Sequence, residues 1–184
     1  MAETKNTVSK SRAQLRNMIY AALFLALAQV LPLVTANIPV IATMISPMHI
    51  PAFLCGFICG PVWGAVVGVV APLLRFLIFG MPRIPMAVYM AFELCTYAVV
   101  AGILRRVLPK TVPFLYLSLV ISMICGRIVY TIVFAIHTGT VTSPVGLLTL
   151  FGTQFVNTWA GIIIHLVIIP PIVLAVEQYR KKNK

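Results

Sequence analysis

The sequence has no aspartate and three acidic residues in all, Glu3, Glu93 and Glu177, and charged residues fill only 9% of its 184 positions. That scarcity excludes much. Metal-dependent hydrolases need clustered carboxylates or histidines, and the three histidines, His49, His137 and His165, are scattered. No GxxxxGK[ST] motif is present, so any use of ATP requires another subunit. Enzyme chemistry is therefore poorly supported, and no cofactor is expected. The four cysteines, Cys55, Cys59, Cys95 and Cys125, all fall inside apolar runs without a histidine at metal-ligand spacing, and read as small hydrophobic residues.

What is abundant is apolar. Hydrophobic residues make up 61% of the chain and the mean hydropathy is +1.05, far above the soluble average. A bilayer core about 30 Å thick takes about 20 helical residues per crossing, so about six crossings use most of the chain. Apolar runs bounded by Pro, Gly or charge predict helices near 15–34, 47–59, 62–79, 85–104, 114–135 and 150–176. Gly60 and Pro61 predict a tight hairpin between the second and third. The first run lacks a small-residue cleavage site and is expected to be retained rather than removed as a signal peptide.

The net charge of +11 is distributed by side rather than along a nucleic-acid track. Lys5, Lys10, Arg12 and Arg16 lie at one end, Arg105, Arg106 and Lys110 between the fourth and fifth runs, and Arg180, Lys181, Lys182 and Lys184 at the other end. The opposite loops, 35–46, 80–84 and 136–149, hold only Arg83. The positive-inside rule then predicts an all-α membrane protein with six transmembrane helices and both termini cytoplasmic. A single transmembrane domain over 15–176 is flanked by basic tails at 1–14 and 177–184. The partners implied are the lipid bilayer and a small molecule, with no nucleic acid.

Three charges fall inside the runs: Arg75, Glu93 and Arg127. Each costs about 2.5–3.5 kcal/mol at mid-membrane, so such residues pair, face a cavity or snorkel. Helix directions place all three in the outer half, together with His49, Gln154, Asn157 and Trp159. That suggests a polar cavity open to the outside, with two arginines against one glutamate favouring an anionic ligand. The alternative is a structural ion pair between Glu93 and one arginine, with Arg75 snorkelling to the headgroups. His165 reads as a hydrogen-bonded packing residue ahead of a proton relay and His137 as a polar turn residue of an outer loop, and neither is assigned to the site. Gly60, Gly64 and Gly68 share one helical face and read as internal packing ahead of partner docking; Ala22 and Ala26 form a similar small-residue pair in the first run.

The basic start, the Ala-rich first run, "ISPMHIPAFLCGFICGPVWGAVVGVVAPLLRFLIFGMP" and "MAFELCTYAVVAGIL" resemble the substrate-binding S components of energy-coupling factor (ECF) vitamin transporters over essentially the whole chain. Within that family the "PMHIP" to "GMP" stretch and "FELCTYA" look most similar to pantothenate-type members. The resemblance implies a six-helix S-component bundle that captures a vitamin from outside and docks onto a T component carrying two ATPase subunits. It also implies that Ala22 and Ala26 contact the T component and that the pocket lies near the loop joining the first two helices. His49, Arg75 and Glu93 fall in the matching motifs, while Arg127, Asn157 and Trp159 are assigned to substrate binding on depth and chemistry. Arg75 and Arg127 are expected to hold a ligand carboxylate, and Glu93 to orient Arg75 or accept a ligand hydroxyl. Pantothenate stands ahead of riboflavin or another vitamin, and a solitary proton-coupled carrier working through Glu93 is the second class.

Overall fold

A computed structural model describes residues 2–35, 46–139 and 144–182; the side chains of 2–10, 35, 144 and 157 are outside the described set. Among the described residues all regular structure is helical: α1 Ala2–Thr35, α2 His49–Cys59, α3 Pro61–Phe79, α4 Met86–Val107, α5 Val112–Thr138 and α6 Pro144–Lys182. Five of these, all but α2, contain a stretch long and apolar enough to cross a membrane. The chain is thus a multi-pass membrane protein. Its second helix, with 11 residues, rises only about 16 Å at 1.5 Å per residue, about half a bilayer core.

That short helix is the centre of the bundle. All of its residues are buried, and it touches α1, α3, α4 and α6. The predicted hairpin follows: Gly60 sits at φ 96°, a region that favours glycine, and Pro61 opens α3, where its missing N–H costs nothing. The glycine face packs internally. A Cβ on Gly68 would lie 2.7 Å from the Cys95 nitrogen of α4, and one on Gly64 2.9 Å from the Ala98 Cβ. Both distances are shorter than real carbon contacts, so the α3–α4 seam requires bare backbone.

Two boundaries differ from the hydropathy pattern. Helix α1 begins at Ala2 rather than near 15, and α6 spans Pro144–Lys182 rather than 150–176. Hydropathy registers only the stretch that lipid can cover, whereas Lys, Arg, Gln and Glu are good helix formers and carry the backbone onward into polar surroundings. Helix α6 also leaves helical geometry at Thr158 (φ −123°, ψ 17°).

The three basic blocks converge. Arg16 of α1, Arg105, Arg106 and Lys110 at the α4–α5 junction, and Arg180 and Lys181 of α6 line one cavity at a single end of the bundle. Glu93 lies twelve residues before Arg105 on α4, about 18 Å along the axis from that basic end.

Candidate functional site

Residues four apart on one helix share a face, and three such polar pairs turn inward here. They are Glu93 and Tyr97 on α4, Arg127 and Thr131 on α5, and Gln154 and Thr158 on α6. Gly126, beside Arg127, leaves the space in which the Tyr97 ring lies against α5. With the ring held there, the Tyr97 hydroxyl donates to Glu93 Oε1 at 2.6 Å.

Glu93 is 2% exposed. Its Oε1 also accepts from Arg127 Nη1 at 3.0 Å, so the charge is paired within the bundle. Arg127 extends the network: Nη1 donates to Gln154 Oε1 at 3.3 Å and Nη2 to Thr158 Oγ1 at 2.9 Å. Gln154 Nε2 donates to Thr131 Oγ1 at 3.1 Å, and that hydroxyl donates to the Arg127 carbonyl at 2.8 Å. Thr158, the residue that breaks α6, thus holds its hydroxyl against the guanidinium of α5. The Glu93, Arg127, Thr131, Gln154 and Thr158 side chains of this network thus all have hydrogen-bond partners, as burial favours.

His49, at the start of α2, donates from Nδ1 to the Ser46 carbonyl at 3.0 Å, and its Nε2 stands 3.6 Å from Glu93 Oε2. That gap is longer than a hydrogen bond. His165 of α6 is 4% exposed and faces His49 with ring centroids 6.0 Å apart; among the described residues neither of its ring nitrogens has a hydrogen-bond partner. The Phe53 and Tyr97 rings stack at 4.7 Å beside them. Together with Arg127, Thr158 and Ile162, these side chains enclose a narrow space that does not admit a water-sized sphere. A ligand of vitamin size therefore requires the lining helices to separate.

The structure brings His49, Glu93 and Arg127 together. Arg75 is not among the residues lining this space. Half-buried on α3, it donates to the Gln29 carbonyl of α1 at 3.0 Å and lies 5.1 Å from the Phe79 ring centre. Gln29 returns a bond to the Ala71 carbonyl at 2.9 Å, so Arg75 and Gln29 lace α1 to α3. The partner of Glu93 is therefore Arg127, on α5, and not Arg75. Trp159 is 56% exposed, the side chain of Asn157 lies outside the described residues, and so does most of the 35–46 loop. Tyr97, Thr131, Thr158 and His165 were not assigned from sequence. The i, i+4 polar spacing on three successive helices was the signal that could have found the first three.

An all-helical membrane protein with a buried, paired polar cluster between its helices has the form of a transport component. The family model described as "ECF transporter, substrate-specific component" matches residues 16–173. The chain belongs to this family: it is a transport subunit rather than an enzyme, and the family implies a small-molecule substrate and a T/ATPase module as partner. No curated protein and no solved structure matches the chain.

Proposed function

We propose that the chain captures a small vitamin at the extracellular side of the cell membrane and delivers it inward as the S component of an ATP-driven ECF transporter, with pantothenate the first candidate. In this reading both termini are cytoplasmic, all six helices belong to one transmembrane domain over 15–176, and tails 1–14 and 177–184 lie inside. The basic blocks at one end of the bundle and the polar cluster about 18 Å away support that polarity. The observation that supports the site is His165: a buried imidazole whose two nitrogens have no hydrogen-bond partner among the described residues stands beside His49 and the Glu93–Arg127 pair, polar groups that a ligand can satisfy.

The chemistry fits a ligand with hydroxyl, amide and carboxylate groups. Arg127 uses three donors on Glu93, Gln154 and Thr158, which leaves its Nε–H and one Nη2–H for a ligand oxyanion. His49, His165 and Glu93 are positioned to take the hydroxyls and amide. The binding set is His49, Glu93 and Arg127 with Tyr97, Thr158 and His165; Arg75 holds α3 to α1, and Asn157 and Trp159, next to Thr158 in the chain, remain candidates from the sequence. One observation favours a second ligand class. The stacked Phe53 and Tyr97 rings offer a flat apolar surface, which suits a heteroaromatic vitamin such as riboflavin.

The test is to purify the chain alone in detergent from cells grown in rich medium, denature it and identify the released small molecule by mass spectrometry. Pantothenate in near-stoichiometric amount supports the first ligand, and a flavin supports the second. If the protein is empty and neither vitamin binds on titration, the assignment of this cluster to vitamin capture fails.

A further inference from the structure

The basic end of the bundle holds a cavity of ≈ 570 Å³, distinct from the vitamin site, whose charge is unbalanced. Among the described residues its one acidic lining residue, Glu177, is taken by Arg105 through two bonds of 2.9 and 2.6 Å. Arg16, Arg106, Lys110, Arg180 and Lys181 remain, contributed by α1, α6 and the α4–α5 junction, and none of them is ion-paired among the described residues. Arg180 is held in place: Nη1 donates to the Ile58 carbonyl at 2.8 Å and the guanidinium stacks 5.1 Å from the Tyr20 ring centre. Its Nε and Nη2 are buried without hydrogen-bond partners among the described residues. Arg106 lies over Gly60, where any side chain would displace it. The N-terminus of α3 opens beside that glycine and adds partial positive charge.

We propose that this cavity is an oxyanion site for a phosphate group, brought either by an anionic lipid headgroup or by a soluble phosphate compound. A carboxylate offers one charge and two oxygens, too little for cations converging from three parts of the chain. A phosphate presents several acceptor oxygens to the Nε and Nη2 nitrogens of Arg180 and to the forks of Arg106 and Arg16. Because the cavity lies where spanning helices end, lipid phosphates have access to it.

The experiment uses the full chain in neutral detergent. Three probes are titrated at matched ionic strength: short-chain phosphatidylglycerol, phosphatidylcholine of the same chain length, and inorganic phosphate. Binding is read by native mass spectrometry and by melting temperature. The comparison variant is Arg106→Gln with Lys181→Gln, two exposed side chains without hydrogen-bond partners among the described residues. The site predicts a tenfold or greater preference for phosphatidylglycerol over phosphatidylcholine, whose choline cation is repelled, and loss of that preference in the variant with its melting temperature unchanged. Binding of inorganic phosphate at least as tight, also lost in the variant, assigns the source to a soluble phosphate compound. Equal binding of both lipids with no phosphate binding, or a preference that survives the substitutions, overturns the proposal.

Discussion

Glu93 and Arg127 hold a charge pair made tolerable inside the bundle by their mutual contact and by hydrogen bonds from Tyr97 and to Gln154 and Thr158. Removing one partner of a buried pair costs about 3–5 kcal/mol, because the other charge is left without compensation. Arg127→Met is therefore expected to lower thermal stability by that order and to abolish ligand binding. The double variant Glu93→Gln, Arg127→Met should recover stability relative to Arg127→Met alone while remaining unable to bind, a combination checked by melting curves and ligand titration. Arg75 behaves differently. Its bond to the Gln29 carbonyl comes from a charged donor and is worth about 1.5–3 kcal/mol, so Arg75→Ala should lower the melting temperature and leave ligand affinity within a small factor. A large loss of affinity at unchanged stability would return Arg75 to the ligand shell. At this scale the sequence exposed the candidates, since an ionisable residue in an apolar run is conspicuous. It left open which arginine meets Glu93, because pairing depends on how α3 and α5 are rotated against α4.

Helix α2 is buried on every side and α3 packs backbone to backbone on α4, so the bundle is most sensitive where bare glycine faces a neighbouring main chain. Gly68→Ala places a Cβ within 2.7 Å of the Leu94 carbonyl carbon and the Cys95 nitrogen. Overpacking of this kind costs about 1–3 kcal/mol. By contrast Gly152→Ala on α6 meets nothing within 4 Å and should leave stability unchanged or slightly raised. Comparing the two variants by thermal unfolding in one detergent separates the seam from general helix propensity. The glycine spacing was legible as a close-packing face. Internal packing was the favoured reading of that face and the structure bears it out; that the covering helix is α4 was not legible, because spacing identifies a face and not which element covers it.

For the proposed assembly with a T component the surface to test is α1. Ala22 and Ala26 are exposed on it, flanked by exposed Met18, Ile19 and Val30. If that stripe meets the T component, Ala22→Trp and Ala26→Trp each block the close approach of a second helix. Ligand binding by the isolated chain should persist while ATP-dependent uptake in cells expressing the T and ATPase subunits is lost. Uptake by the chain alone, collapsed by a protonophore, would instead identify a solitary carrier.

The sequence by itself determined the medium, the helices and the uneven distribution of charge. Each follows from local properties: apolar length, Pro and Gly punctuation, and the cost of placing Lys or Arg in lipid. It also fixed membership of the family, since the match runs over residues 16–173. Only the tertiary structure decided that Arg127 is the partner of Glu93, that Arg75 laces α1 to α3, and that His165 faces His49. These depend on rotations of whole helices about their axes, set by packing at the glycine seams and around α2. Residues far apart in the chain meet there for reasons no local pattern records.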